Sequence, residues 1–86
     1  MFVYVIRSDS HRRCYVGLGL NVEARLKEHN AGKTRSTRPY RPWGLVTWFE
    51  RESLKEARAL EKWLKSGVGK EYIKRHWKNN FERKKG

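Results

Sequence analysis

Acidic residues are scarce in this 86-residue sequence: nine Asp and Glu stand against 21 Lys and Arg, for a formal charge of +12. A small chain this basic repels itself unless a polyanion is close by. Nucleic acid ranks first as that partner, an anionic membrane surface second and a ribosomal-type role third. Cysteine is nearly absent. Cys14 alone excludes an internal disulfide, and with His11 as its nearest potential co-ligand no zinc set is completed. Cys14 is expected as a small buried strand residue in a reducing compartment. Long apolar runs are also missing: nothing approaches the ~20 residues needed to span a bilayer. The N-terminus lacks the basic start, apolar block and cleavage site of a signal peptide. A cytoplasmic protein without a membrane partner is the expectation.

What is present suffices for one modest core. A single domain over 1–86 is expected, with its core at about 2–74 and a basic aromatic tail at about 75–86. Residues 2–7, with Phe2-Val3-Tyr4-Val5-Ile6, read as a buried strand. Ser8-Asp9-Ser10-His11 is turn chemistry. A second strand over 13–18 completes an antiparallel hairpin that Gly17 and Gly19 bracket at its end. Asn21 is a good N-cap for a helix of about 22–31 that Gly32 stops. On that helix Val22, Leu26 and His29 share a stripe, with Arg25 beside it, so Arg25 and His29 are neighbours at the edge of the packed surface.

Residues 33–42 form a basic loop with both prolines and no apolar periodicity. Its Lys33, Arg35, Arg38 and Arg41, with Lys65 and Lys70 farther on, are the expected nucleic-acid contacts, and Thr34, Ser36 and Thr37 add hydroxyls suited to phosphate oxygens. A solvated connector is the plainer alternative. Residues 44–50 read as a third strand. Ser53 and Glu56 form a capping box for a helix of about 54–66, with Leu54, Ala57, Leu60 and Leu64 on its buried face and Glu61 at the margin of that face. Gly67 and Gly69 break it, and a weaker helix follows at about 70–82.

Tyr4, Tyr15, Arg25, His29 and Glu61 are the candidate functional set. A carboxylate can hold one Mg²⁺, which keeps several waters and takes phosphate oxygens. A guanidinium fork can clamp a phosphate. A phenol whose pKa is lowered by cations can serve as a general base, and an imidazole can relay the proton or bond the phosphate. Each residue also has a structural explanation: paired strand aromatics, a surface cation, a histidine against a helix dipole, a glutamate balancing a lysine. From spacing alone, catalysis and structure stand level.

Four segments in order tip the balance. Val3-Tyr4-Val5, Tyr15-Val16-Gly17, Arg25 through Gly32 (R-L-K-E-H-N-A-G) and Ala57 through Lys65 (A-R-A-L-E-K-W-L-K) together resemble the GIY-YIG nuclease superfamily, in its small single-domain branch, similar to the catalytic domains of structure-specific endonucleases. The resemblance covers residues 2–74. It implies a small α/β sandwich whose central three-stranded antiparallel sheet is flanked by helices. It implies a DNA endonuclease using one Mg²⁺ (or Mn²⁺) at Glu61, with Arg25 on the phosphate and Tyr4 or Tyr15 as general base. The first motif has lost its glycine, and Leu18-Gly19 stand where many members carry a lysine or threonine. Without an accessory domain, targeting must come from substrate shape, the basic loop, the tail or a protein partner, which favours structured, nicked or single-stranded DNA, as in repair. A non-catalytic nucleic-acid-binding module that keeps this fold is the alternative.

Overall fold

The structure, a computed structural model, describes residues 1–75. The chain runs β1 (Phe2–Ser8), β2 (Cys14–Gly19), α1 (Val22–Asn30), a 3-10 turn (Arg38–Tyr40), β3 (Trp43–Glu50) and α2 (Leu54–Leu64), with helical backbone again over residues 67–75. The strands form one antiparallel sheet in the order β2-β1-β3. β1 is therefore central and covered on both faces. That explains why Val3, Tyr4, Val5 and Ile6 run on without polar alternation, since all four are fully buried.

The pleat of β1 sorts its side chains into two cores. Val3 and Val5 join Val16, Val46, Ala57, Leu64 and Ile73 on the side that α2 and residues 67–75 cover. Tyr4 and Ile6 join Trp43 on the other side, against Tyr15, Val22, Leu26, Tyr40 and Leu45. A register shift between Val5 and Ile6 opposite β3 lets Val46 turn into the first core. Burying a side chain such as Leu64, wholly covered here, contributes about 1.5–3 kcal/mol. The result is the expected α/β sandwich, one helix layer on each face of the sheet.

Caps set the helix starts. Asn21 accepts a hydrogen bond from the Ala24 N–H at 3.0 Å, and Ser53 Oγ accepts one from Glu56 N–H at 3.1 Å. Both helices stop slightly earlier than their sequence patterns suggest, at Asn30 and Leu64. Leu54 is 46% exposed, leaving Ala57, Leu60 and Leu64 to carry the packing of α2. Cys14 is exposed rather than buried, because it opens β2, an edge strand, at the end of the sheet. Gly67 and Gly69 do not hold the last helix off until residue 70. Ser66 accepts from Gly69 N–H at its hydroxyl (3.3 Å) and from Lys70 N–H at its carbonyl (2.8 Å), so the cap starts the helix at residue 67. The expected continuation to 82, and the basic aromatic tail with Trp77 and Phe81, lie outside the described residues.

Among the described residues no helix is long and apolar enough to cross a membrane.

Candidate active site

The α1 layer of the sheet gathers four of the five singled-out side chains. Tyr4 leaves the centre of β1 and lies against the backbone of its register partner Gly17. A Cβ at Gly17 would stand 2.5 Å from Tyr4 Cζ and 2.9 Å from Tyr15 Cε1, so only a glycine admits both rings. The Tyr15 ring centre is 6.4 Å from that of Tyr4 and 4.9 Å from that of His29. Tyr15 is partly open to solvent, whereas Tyr4 is fully buried.

His29 is the one fully buried residue of α1, a helix otherwise anchored by the half-buried Val22 and Leu26. Sequence spacing places it at the edge of the packed surface. The structure turns it wholly inward, where it bridges two elements. Its Nε2 is 2.9 Å from Tyr4 Oη and its Nδ1 is 2.8 Å from Thr37 Oγ1. Burial, helped by the positive charge of Arg25, holds the His29 pKa below its ordinary value, so the ring is neutral at pH 7. Burial also raises the Tyr4 pKa. The Arg25 guanidinium beside the phenol opposes that rise without cancelling it, and Tyr4 keeps its proton at neutral pH.

Arg25 reaches the same region along α1. Its stem passes over Gly19, where a Cβ would lie 2.7 Å from Arg25 Cγ. A side chain at position 19 would displace the arginine, which gives Gly19 a physical role in this chain. The guanidinium is ion-paired through one Nη to Glu28 at 2.8 Å. Its Nε is buried and has no hydrogen-bond partner among the described residues. A desolvated donor without an acceptor is costly, and the guanidinium is otherwise within reach of an anion, the side chain being 35% exposed.

Glu61 is placed elsewhere. It lies on α2, in the layer over β2 and β1 on the opposite face, and its carboxylate accepts from Lys65 Nζ at 3.2 Å. The structure does not bring it into hydrogen-bond contact with the other four. Among the described residues no three His, Cys, Asp or Glu side chains are grouped to hold a metal. A lone carboxylate nonetheless suits Mg²⁺, which keeps most of its waters and takes one or two protein oxygens.

The basic loop is more ordered than its composition suggests. Thr37, a hydroxyl the sequence offers to phosphate, is buried against His29. Arg38 Nε donates to Gly32 O and Arg41 Nε to Arg38 O, both at 2.9 Å, so these cations also tie the loop to the end of α1. Lys33 and Arg35 are exposed, as are Arg38 and Arg41. Lys65 and Lys70 line an open groove on the α2 side with Arg12, Cys14 and Lys74.

Three supporting residues had no structural role assigned from the sequence. Asn30 accepts from Trp43 N–H at 2.6 Å and donates to Trp43 O at 3.0 Å, locking the start of β3 to the end of α1. Glu28 steers Arg25, a pairing that i, i+3 spacing could have suggested. Thr37 had no signal beyond a hydroxyl before a proline-containing turn.

Fold and cluster together define a small α/β domain that gathers two tyrosines, a buried histidine and a half-exposed arginine on one face of a three-stranded sheet. The model of the GIY-YIG catalytic domain family matches residues 1–85, and the chain belongs to that family. Comparison with curated proteins and with solved structures gives no match. The family is one of nuclease-type endonucleases that generally depend on a divalent metal, and its domain implies a nucleic-acid substrate.

Proposed function

We propose that this protein is a divalent-metal-dependent endonuclease that hydrolyses phosphodiester bonds of DNA, with structured, nicked or single-stranded DNA as its substrate. The observation that carries the reading is the half-exposed guanidinium of Arg25, with its Nε left unpaired, beside Tyr4 and His29. A cation within reach of solvent, set among groups able to move a proton, suits a bound phosphate better than a structural role.

Each residue then has a task. Arg25 holds the scissile phosphate and offsets the charge that grows on it. Tyr15, the tyrosine that solvent reaches, acts in its phenolate form: it positions the attacking water and takes its proton to become the phenol as the new P–O bond forms and the bond to the leaving oxygen breaks. Tyr4 is too deeply buried to touch substrate; it and His29 hold the floor of the site. Glu61 is the residue that would hold the metal, in exchange for its pairing with Lys65, and the metal supplies charge neutralisation at the phosphate. Lys33, Arg35, Arg38, Arg41, Lys65 and Lys70 contact the nucleic-acid backbone.

The pairing of Glu61 with Lys65 rather than with a member of the cluster favours one rival: a nucleic-acid-binding module that keeps the fold without turnover. Labelled single-stranded, duplex, nicked and branched DNA, incubated with Mg²⁺ or Mn²⁺ against EDTA, separates the two. Metal-dependent cutting by the wild type, lost in Arg25→Ala and in Glu61→Ala with binding retained, is the expected result. Tight binding with no cutting on any substrate or metal overturns the enzyme reading in favour of the module. Undiminished cutting by Glu61→Ala removes the metal role of that residue alone.

A further inference from the structure

Tyr4, His29, Thr37 and Thr34 form a continuous hydrogen-bonded chain running from the centre of the sheet into the basic loop, and its members are directional. The outer end is a backbone carbonyl. Thr37 Oγ1 lies 3.3 Å from Thr34 O, which can only accept and also takes the Thr37 and Arg38 N–H groups (3.2 and 3.0 Å), so in any bond between the two the hydroxyl is the donor. A hydroxyl so oriented meets His29 Nδ1 at 2.8 Å as an acceptor, and Nδ1 then carries the hydrogen. A neutral ring protonated at Nδ1 has a lone pair at Nε2, which then accepts from Tyr4 Oη at 2.9 Å. The inner end agrees. Arg25 is a donor only, and its guanidinium lies beside the Tyr4 oxygen, which leaves the phenolic hydrogen pointing at His29.

We propose that Thr37 is a positioning residue that fixes His29 as the Nδ1–H tautomer and thereby keeps Nε2 as the acceptor for the Tyr4 proton. A free imidazole side chain prefers the opposite tautomer, so a specific partner is needed to hold this one. Thr37 is built for the task. It is 2% exposed; its carbonyl accepts from Trp43 Nε1 at 2.8 Å and from Tyr40 N–H at 3.1 Å, and its own N–H donates to Thr34 O at 3.2 Å. These three bonds hold the backbone of Thr37 and so fix where its hydroxyl oxygen sits against the ring. The loop that looks like a basic connector thus also carries the residue that sets the protonation pattern beneath the site. Were charge to develop on the Tyr4 oxygen, its proton would pass to Nε2, and the imidazolium so formed would keep Nδ1–H on Thr37. No atom beyond that proton has to move.

The catalytic part of this inference rests on the nuclease reading; the tautomer part does not. Long-range ¹H–¹⁵N spectra of the whole protein above the His29 titration assign the tautomer directly. The expected wild-type signature is a protonated, pyrrole-type Nδ1 and a pyridine-type Nε2, kept in Thr37→Ser and abolished or mixed in Thr37→Val. A pyridine-type Nδ1 in the wild type, or an unchanged tautomer in a folded Thr37→Val, overturns the proposal whether or not the protein cuts DNA. With cleavage established, Thr37→Val is expected to lower kcat by about tenfold with KM and DNA binding little changed, as for removal of one hydrogen bond, and Thr37→Ser to restore it. Equal loss in both variants points to packing and overturns the catalytic part. Should Thr37→Val not fold, the wild-type spectrum and the serine variant still decide the tautomer.

Discussion

Replacing Gly17 with alanine tests the construction of the site by adding a single methyl group. The new Cβ would sit 2.5 Å from Tyr4 Cζ and 2.9 Å from Tyr15 Cε1, both well inside van der Waals separation. Tyr4 is a rigid ring with no exposed surface, and its hydroxyl is tied to His29 at 2.9 Å, so it has nowhere to yield. Overpacking of this kind costs about 1–3 kcal/mol. Breaking the Tyr4–His29 bond inside the core adds about 1–3 kcal/mol for the stranded groups. A total of about 2–6 kcal/mol follows, and each kcal/mol lowers Tm by about 4–8 °C in a domain of this size. Urea unfolding followed by circular dichroism measures it. Gly67→Ala is the control: nothing lies within 4 Å of its added Cβ and the position is helical, so it should be neutral or stabilising. A loss under about 0.5 kcal/mol for Gly17→Ala, no more than an ordinary surface change, would refute the close-packed phenol against β2.

Two further outcomes are expected. His29 holds its proton less readily folded than unfolded, so below its ordinary pKa of 6.5 the unfolded chain binds more protons. Its contribution is therefore complete above that pH and is lost as pH falls through the lowered folded value. Urea midpoints between pH 7.5 and 5 should drop on acidification in the wild type and drop less in His29→Gln; parallel curves would contradict the buried neutral ring. Replacing Arg35 and Arg38 together should weaken DNA binding and flatten its dependence on log salt by roughly one unit for each phosphate the protein no longer neutralises. A slope equal to that of the wild type would make residues 33–42 a connector only.

Much of the architecture was legible because local chemistry and burial agree. The unbroken apolar run of β1 marks a central strand, Asn21 and Ser53 announce their helices, and the order of elements follows. Where the pattern misled, a cap or an end effect had overridden composition. Ser66 starts a helix at residue 67 despite two nearby glycines, and Cys14 is exposed because β2 is an edge strand. For the candidate site, the sequence singled out Tyr4, Tyr15, Arg25 and His29, which do converge. It also offered Thr37 to the phosphate oxygens of a nucleic acid, because a hydroxyl in a polar loop carries no mark of the buried histidine it faces.

By itself the sequence determined the strong basic charge, the helix caps, the two-sided burial of β1 and the four-segment likeness to one nuclease family. These are properties of composition and of spacing along one chain. Only the tertiary structure decided that His29 is wholly buried, that its ring meets the loop at Thr37, that Arg25 keeps a buried donor without an acceptor, and that Glu61 pairs with Lys65 in the opposite layer. Those facts depend on which groups meet across the sheet and how completely water is excluded between them, and neither spacing nor composition encodes that.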